Sequence, residues 1–355
     1  MDGIREFNRS FAGAVINNKR FLFKRPSYIA AFSRISANMK KQEKRRELLL
    51  RDEGLVVPPV LIVSVTNDCN LSCKGCYACS QQRDKSGEMD IERIKSAISE
   101  AVDLGVCVVM IAGGEPLLKQ GVMELPALHA DTLFVMFTNG LLLWAYKDAP
   151  LNFVPVISVE GGKEATDSRR GAGMYDNAMT VMEKLDKSGR LFGASVTLTS
   201  ENYGEVVNAD YLRGLEAKGC RAAFLIEYVP SGEEDEALCL TEEQKKELRE
   251  NEERLYREHD MLIVTLPGDE EKYGGCLASG RGFLHISSTG ALEACPFAPY
   301  SDTNIQHKPL KEALKSDLLM KIRDNHHLLK ESRGGCALKE NKAWIEALAA
   351  PSETV

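Results

Sequence analysis

Val60-Leu61-Ile62-Val63-Ser64-Val65-Thr66 runs almost directly into Cys69-Asn70-Leu71-Ser72-Cys73-Lys74-Gly75-Cys76. The first stretch is an apolar, β-branched run that predicts a strand. The second carries three thiols at C-x3-C-x2-C spacing, so a loop leaving a strand end offers three soft ligands. Three thiolates so close together suit three irons of a cubane 4Fe-4S cluster and leave the fourth iron without a protein ligand. Zinc fits less well, because a structural zinc takes four ligands, usually as two pairs, and Cys79 is an awkward fourth. An odd trio also suits disulfide pairing poorly.

Outward from that loop, strand and helix patterns alternate. Short apolar runs predict strands at Val60–Thr66, Val106–Ala112, Leu133–Thr138, Val154–Val159, Phe192–Thr199 and Ala222–Val229. Their weak alternation fits parallel strands buried on both faces. Helical patterns lie between them: one capped by Asp90 and ended by Gly105, then Tyr175–Ser188, Glu205–Lys218 and Thr241–Asp260. Serial β/α units predict an α/β fold, a partial (β/α)6 TIM-like barrel over residues 58–260, whose site is built at the C-terminal strand ends. Residues 261–350 form a separate expectation, a small iron–sulfur domain. In it Phe283–Ser287 and Ala291–Ala294 predict a hairpin around Ser288-Thr289-Gly290, and Leu310–Asn325 predicts a helix. The flanking Gly274-Gly275 and Gly334-Gly335 read as loops, and the tail beyond Ala350 as frayed.

Residues 1–57 form a basic helical arm. Residues 1–53 hold 13 Lys/Arg and 6 Asp/Glu, net +7, against −14 for the remainder and −7 for the whole chain. Arg25-Pro26 predicts a break, and Asn38–Glu53 is polar enough for a solvated helix. The arm either packs on the acidic body or docks on an anionic membrane surface. Nucleic acid is not the expected partner, because the chain is acidic overall and no aromatic residue is interleaved with the basic ones of Asn38–Glu53. No apolar stretch approaches the roughly 18 residues that span a bilayer, and Met1–Ser10 lacks a signal-peptide core. The expected location is cytoplasmic, peripheral to the membrane if the arm docks there. Ten cysteines in that compartment read as ligands or as small buried groups. Cys107 and Cys220, at strand starts, read as packing, while Cys79 and Cys239 lack ligand spacing.

Several polar motifs fall at the strand ends. Gly113-Gly114-Glu115-Pro116 follows the second strand: the glycines let backbone come close to a ligand, and Glu115 can accept from an ammonium group. Thr138-Asn139-Gly140 follows the third, Ser158-Val159-Glu160-Gly161 the fourth, and Pro230-Ser231-Gly232 the sixth. Thr166-Asp167-Ser168-Arg169-Arg170-Gly171 comes soon after the fourth, with a planar fork in Arg170 that suits a carboxylate. A second trio, Cys276, Cys295 and Cys336, can hold another 4Fe-4S cluster, with His285, His307, His326 or His327 as candidate fourth ligands. Zinc remains the alternative there.

Together these motifs resemble the radical S-adenosylmethionine (radical SAM) superfamily. The chain differs from it in having Gly75, not an aromatic residue, before the third cysteine, with Tyr77 after it. Glu160 stands where many relatives have Asp, and Thr166 where His is usual. The resemblance implies that Cys69, Cys73 and Cys76 hold the SAM-binding cluster. It further implies that Gly113, Gly114, Glu115, Pro116, Asn139, Ser158, Glu160 and Arg170 line the SAM site, with Glu115 at the amino group, Ser158 at the ribose and Arg170 near the carboxylate. The spacing from Cys276 through Gly290 to Cys295, with Cys336 beyond, resembles a reduced SPASM or Twitch auxiliary-cluster domain.

The implied activity is an oxidoreductase or maturase: reductive cleavage of SAM to a 5′-deoxyadenosyl radical, which takes hydrogen from a substrate C–H bond. The substrate class is a peptide, protein or small metabolite, and the reductant a flavodoxin- or ferredoxin-type protein. Two alternatives stand beside it, a membrane-associated radical SAM enzyme acting on a lipid-like substrate and an iron–sulfur electron carrier or scaffold.

Overall fold

Nine strands form one open sheet in the computed structural model, which describes residues 26–81, 86–143, 148–230, 233–266, 276–329 and 336–349. Arg25 and the residues before it, Ser231-Gly232, Gly274-Gly275, Gly334-Gly335 and the tail from Ala350 lie outside the described residues. The strands are β1 (Val60–Ser64), β2 (Val108–Ala112), β3 (Leu133–Thr138), β4 (Phe153–Val159), β5 (Gly193–Leu198), β6 (Ala222–Glu227), β7 (Leu262–Leu266), β8 (Phe283–Ile286) and β9 (Leu292–Glu293), in the order β7-β6-β5-β4-β3-β2-β1-β8-β9. All neighbours are parallel except β8 and β9. The six expected strands are present within a residue or two of their expected ends. A seventh, β7, continues the series beyond Asp260. The expected hairpin is β8 and β9, and β8 also pairs with β1, so the C-terminal segment extends the same sheet.

The strands are sorted by their two faces. Leu61, Val63, Val109, Ile111, Phe134, Met136, Val196 and Ile263 face outward, into a core shared with the flanking helices. Among those is α2 (Ile91–Leu104; α1 is described below). The Asp90 side chain accepts from Arg93 N at its start, Ile94 and Ile98 are buried along it, and Gly105 at φ +122° ends it. Further along are α3 (Lys163–Arg170), α4 (Met174–Lys187), α5 (Ala209–Ala217), α6 (Glu242–Glu258) and α7 (Asp317–Asp324). The expected Leu310–Asn325 helix is interrupted: Ser316 accepts from Leu319 N and starts α7 afresh after a single turn at Leu310–Ala313.

Alternate residues face the lumen. At the N-terminal strand ends Val60, Val108, Leu133, Val154, Leu191, Ala222 and Leu262 form one buried layer. That layer is closed by α1 (Ser27–Glu53), whose Tyr28, Phe32 and Ile35 pack into it. The Tyr28 hydroxyl accepts from Leu191 N, and Asn38 Nδ2 donates to Asp131 O. Residues 26–53 of the arm are therefore packed on the barrel, and the membrane-docking alternative rests on charge alone. Toward the C-terminal ends the lumen opens: Ile62, Ala112, Phe137, Ser158, Thr197 and Ile226 are only half-buried.

Candidate cofactor site

The cysteine loop rises from β1 at the open end of the lumen. Cys69 is exposed, and Cys73 and Cys76 are half-buried. Glu88 ties its start, accepting from the Thr66 hydroxyl at 3.0 Å and from Asn67 N at 2.5 Å. Next, the backbone is zipped to the segment after β2: Gly114 N donates to Thr66 O and Glu115 N to Asp68 O, each at 2.8 Å. A Cβ on Gly114 would stand 2.6 Å from the Asp68 carbonyl carbon, and one on Gly113 would meet the Thr66 carbonyl oxygen. The close approach for which these glycines are needed is thus made by the loop's own backbone.

Glu115 is buried beneath that junction. One carboxylate oxygen accepts from Leu117 N at 3.1 Å and the Thr138 hydroxyl at 2.7 Å, and the other accepts from Asn139 N at 2.9 Å. It therefore joins the ends of β2 and β3. Burial pushes its pKa up, while these donors and the nearby Arg170 oppose the shift. The second oxygen has one protein donor and a lone pair to spare. Asn139 goes on to the loop, its Nδ2 donating to Asn70 Oδ1 at 2.8 Å. Pro116 opens a short turn, Pro116–Leu118, and its carbonyl accepts from Lys119 N at 3.0 Å.

Glu160, 1% exposed, organises the opposite side. Its Oε1 accepts from Arg169 Nη1 at 2.5 Å and Arg170 Nε at 2.7 Å, and its Oε2 from Thr197 N at 3.0 Å. The extra methylene relative to Asp reaches both arginines and β5 at once. Arg170 thus spends part of its fork on Glu160. Arg169, which the motif reading passed over, also holds the cysteine loop: its carbonyl accepts from Lys74 N at 2.9 Å. Thr166, buried, accepts from Glu160 N. Ser158 faces the lumen beside Ser195, hydroxyl to hydroxyl at 3.3 Å.

The charges around the thiols are uneven, with the two arginines nearest Cys73. Burial raises the Cys73 thiol, and Arg170 and Arg169 pull it back. Burial and the neighbouring Glu115, Cys73 and Cys76 raise Cys69 against one opposing backbone hydrogen bond, with Leu71. Cys79, which spacing alone left out, comes within hydrogen-bonding range of Cys76, and burial with that neighbour pushes it up to about 11. Among the described residues no three His, Cys, Asp or Glu side chains close on one point tightly enough for a single metal ion. In a cluster each thiolate takes its own iron, so three separate thiols suffice. The donor set at this loop fits the cluster.

The second trio gathers across a long stretch of chain. Cys295 and Cys336, both buried, sit side by side with Cys276 near them, and burial with those neighbours raises Cys295 well above the ordinary thiol range. Among the candidate histidines, His285 is taken up by Ser64 and Glu293, each at 2.8 Å, and His326 by the Arg323 carbonyl at 2.6 Å. The two trios touch through the residues that follow them. Tyr77 packs edge-on against Phe297 at 4.7 Å between ring centroids, and Gln81 Nε2 donates to Pro296 O at 2.8 Å. Cys107 and Cys220 are buried at strand starts, as packing requires.

Residues 63–210 match the Radical SAM superfamily. The AdoMet-dependent heme synthase of Methanosarcina barkeri is 26% identical over 319 residues, covering 80% of this chain and 89% of that protein. The mycofactocin maturase MftC of Mycolicibacterium smegmatis is 29% identical over 253 residues, covering 68% of this chain and 58% of that protein. In structure, Streptococcus suis SuiB superposes with a TM-score of 0.66 at 17% identity, over 84% of this chain and 78% of SuiB. anSMEcpe with bound AdoMet gives 0.60 at 17% identity, over 82% and 95%. At these identities the two structures are alike in fold. No helix among the described residues is long and apolar enough to cross a membrane.

Proposed function

We propose that this chain, whose residues 63–210 match the Radical SAM superfamily, is a radical SAM enzyme that holds a 4Fe-4S cluster on Cys69, Cys73 and Cys76 and binds SAM at that cluster for hydrogen abstraction from a substrate C–H bond. The observation that carries the reading is the double tie on the cysteine loop, to the β2–β3 end through Glu115 and Asn139 and to the C-terminal end of α3 through Arg169. When bound, the cluster and SAM supply an electron and a 5′-deoxyadenosyl radical. The protein's own part is to bind, orient and exclude water. Arg169 and Arg170 favour Cys73 as thiolate. Glu115 offers its second oxygen to the SAM ammonium, and the remaining face of Arg170 offers N–H groups to the SAM carboxylate. Ser158 lies on the lumen wall for the ribose. Below them α1 and the apolar layer close the barrel, so substrate enters from the half-buried end.

Cys276, Cys295 and Cys336 are read as ligands of a second cluster. Its place beside the first loop fits oxidative or bond-forming modification of a peptide, protein or small metabolite. Maturases and heme synthases both appear among the relatives, and both substrate classes stay within this reading. The same reading divides the chain into residues 1–57, 58–260 and 261–350 and calls for a flavodoxin- or ferredoxin-type reductant. The test is anaerobic reconstitution followed by reduction with dithionite in the presence of SAM. 5′-Deoxyadenosine should form even without substrate. Its absence from protein with a full cluster overturns the reading.

A further inference from the structure

We propose that the second cysteine trio exchanges electrons with solvent-side carriers through the first, across a junction made by Tyr77 with Phe297 and by Gln81 with Pro296. The proposal rests on the reading of Cys276, Cys295 and Cys336 as ligands of a second cluster.

Exposure sets the order. Cys69 is exposed, and Cys73 and Cys76 are half-buried. Cys295 and Cys336 are each 6% exposed. Cys276 is half-buried, and its backbone is held on both sides: its N–H donates to Leu329 O at 3.2 Å, and its carbonyl accepts from Arg281 Nη1 at 2.7 Å. A carrier arriving from solvent therefore meets the first loop before the second trio.

The junction is short along the chain at both ends. Tyr77 directly follows Cys76, and Pro296 and Phe297 directly follow Cys295. The two rings meet edge-on with centroids 4.7 Å apart. Beside them, Gln81 N donates to Tyr77 O at 3.2 Å and Gln81 Nε2 donates to Pro296 O at 2.8 Å. Two paths thus lead from Cys76 to Cys295, one of bonds and a ring contact, the other of bonds and two hydrogen bonds. Both ends are pinned by tight turns, Ser80 N to Cys76 O at 3.0 Å and Ala298 N to Cys295 O at 3.0 Å. Electron tunnelling falls off steeply across an empty gap and more gently along bonds and packed atoms, so a pinned contact of this kind favours transfer. One electron passes from the reduced first cluster to the oxidised second, with no bond made or broken.

The test uses the full chain, reconstituted with iron and sulfide, mixed anaerobically with excess reduced methyl viologen and freeze-quenched for EPR. Variants lacking one trio supply the reference spectrum of each cluster. In the parent, the signal of the second cluster should follow that of the first. Tyr77→Ala and Phe297→Ala open a gap between the rings. Each should delay the second signal severalfold, with the rate of the first signal and both midpoint potentials at parental values. Tyr77→Phe keeps the ring and should match the parent. Replacing Cys69, Cys73 and Cys76 with Ala should slow reduction of the second cluster most of all. A second cluster reduced as fast without the first overturns the proposal, and so does a parental delay in both ring variants. Shifted midpoint potentials in both ring variants also overturn it, by making the rings a brace for the clusters. A parent protein that carries only the first cluster overturns the proposal together with the reading of the second trio, and leaves the SAM reading standing.

Discussion

Arg169 reaches Glu160 with its guanidinium, Nη1 to Oε1 at 2.5 Å, and its own carbonyl accepts from the cysteine loop at Lys74 N. One residue thus transmits the position of a buried carboxylate to the stretch between Cys73 and Cys76. Glu160→Ala leaves two largely buried guanidinium groups without their counter-charge. Breaking a buried pair from one side costs about 3–5 kcal/mol. The variant should melt well below the parent and take up less iron at the first site. Glu160→Asp keeps the charge one methylene short and should fall between the two. Full iron loading in Glu160→Ala, measured per folded protein, would disprove the mechanical link.

The two cysteine trios predict a cluster count. Reconstituted protein should hold roughly eight irons, from two four-iron clusters. Replacing Cys69, Cys73 and Cys76 with Ala should remove one cluster's worth, and replacing Cys276, Cys295 and Cys336 the other. About four irons in the unaltered protein would leave the second trio as packing. Iron analysis with Mössbauer spectra on each variant gives the answer.

Local features of the site were legible, and its long-range partners were not. The apolar runs and their turn residues gave six strands nearly to their ends, and Asp90 and Gly105 bounded α2. The Leu262–Leu266 run carries the same signal as the others, yet it follows the residues taken as the end of a six-unit barrel and so went unread as β7. That β8 would pair with β1 has no local signal, because register between strands more than 200 residues apart is set by the closing of the whole sheet. Arg169 was missed for a like reason. It reaches Gly75 O from 94 residues away, and spacing motifs see only neighbours. Gly113 and Gly114 were legible as a place of close approach, but what approaches is the Thr66–Asp68 backbone.

Glu115 should leave a mark on stability as pH changes. Burial raises its carboxyl above the ordinary range in the folded protein despite three donors. A raised carboxyl favours the protonated folded state, so its contribution is present below about 4.5 and is lost as pH rises through the folded value. Glu115→Gln cannot titrate and should remove that segment of the curve. Melting temperatures of parent and variant from about pH 4 to 7 should therefore diverge in slope, the parent falling more steeply with rising pH. Parallel curves would mean that the carboxyl is not shifted.

The basic arm gives the last prediction, and here packing and charge make opposite demands. Tyr28, Phe32 and Ile35 are buried in the layer that closes the lumen, and the Tyr28 hydroxyl accepts from Leu191 N. Tyr28→Ala opens a cavity against Val60, Leu133 and Leu191. Large-to-small changes of an aromatic in a core cost about 3–5 kcal/mol, so the variant should melt several degrees lower and bind a hydrophobic dye. Deleting residues 1–53 should be harsher, since it uncovers the whole layer. A helix that served only to dock on anionic surfaces would behave differently: its removal would leave melting unchanged and abolish co-sedimentation with anionic vesicles at low salt. The structure of α1 calls for the first result. An unchanged melting temperature on Tyr28→Ala would return the arm to the surface role that its net +7 allows.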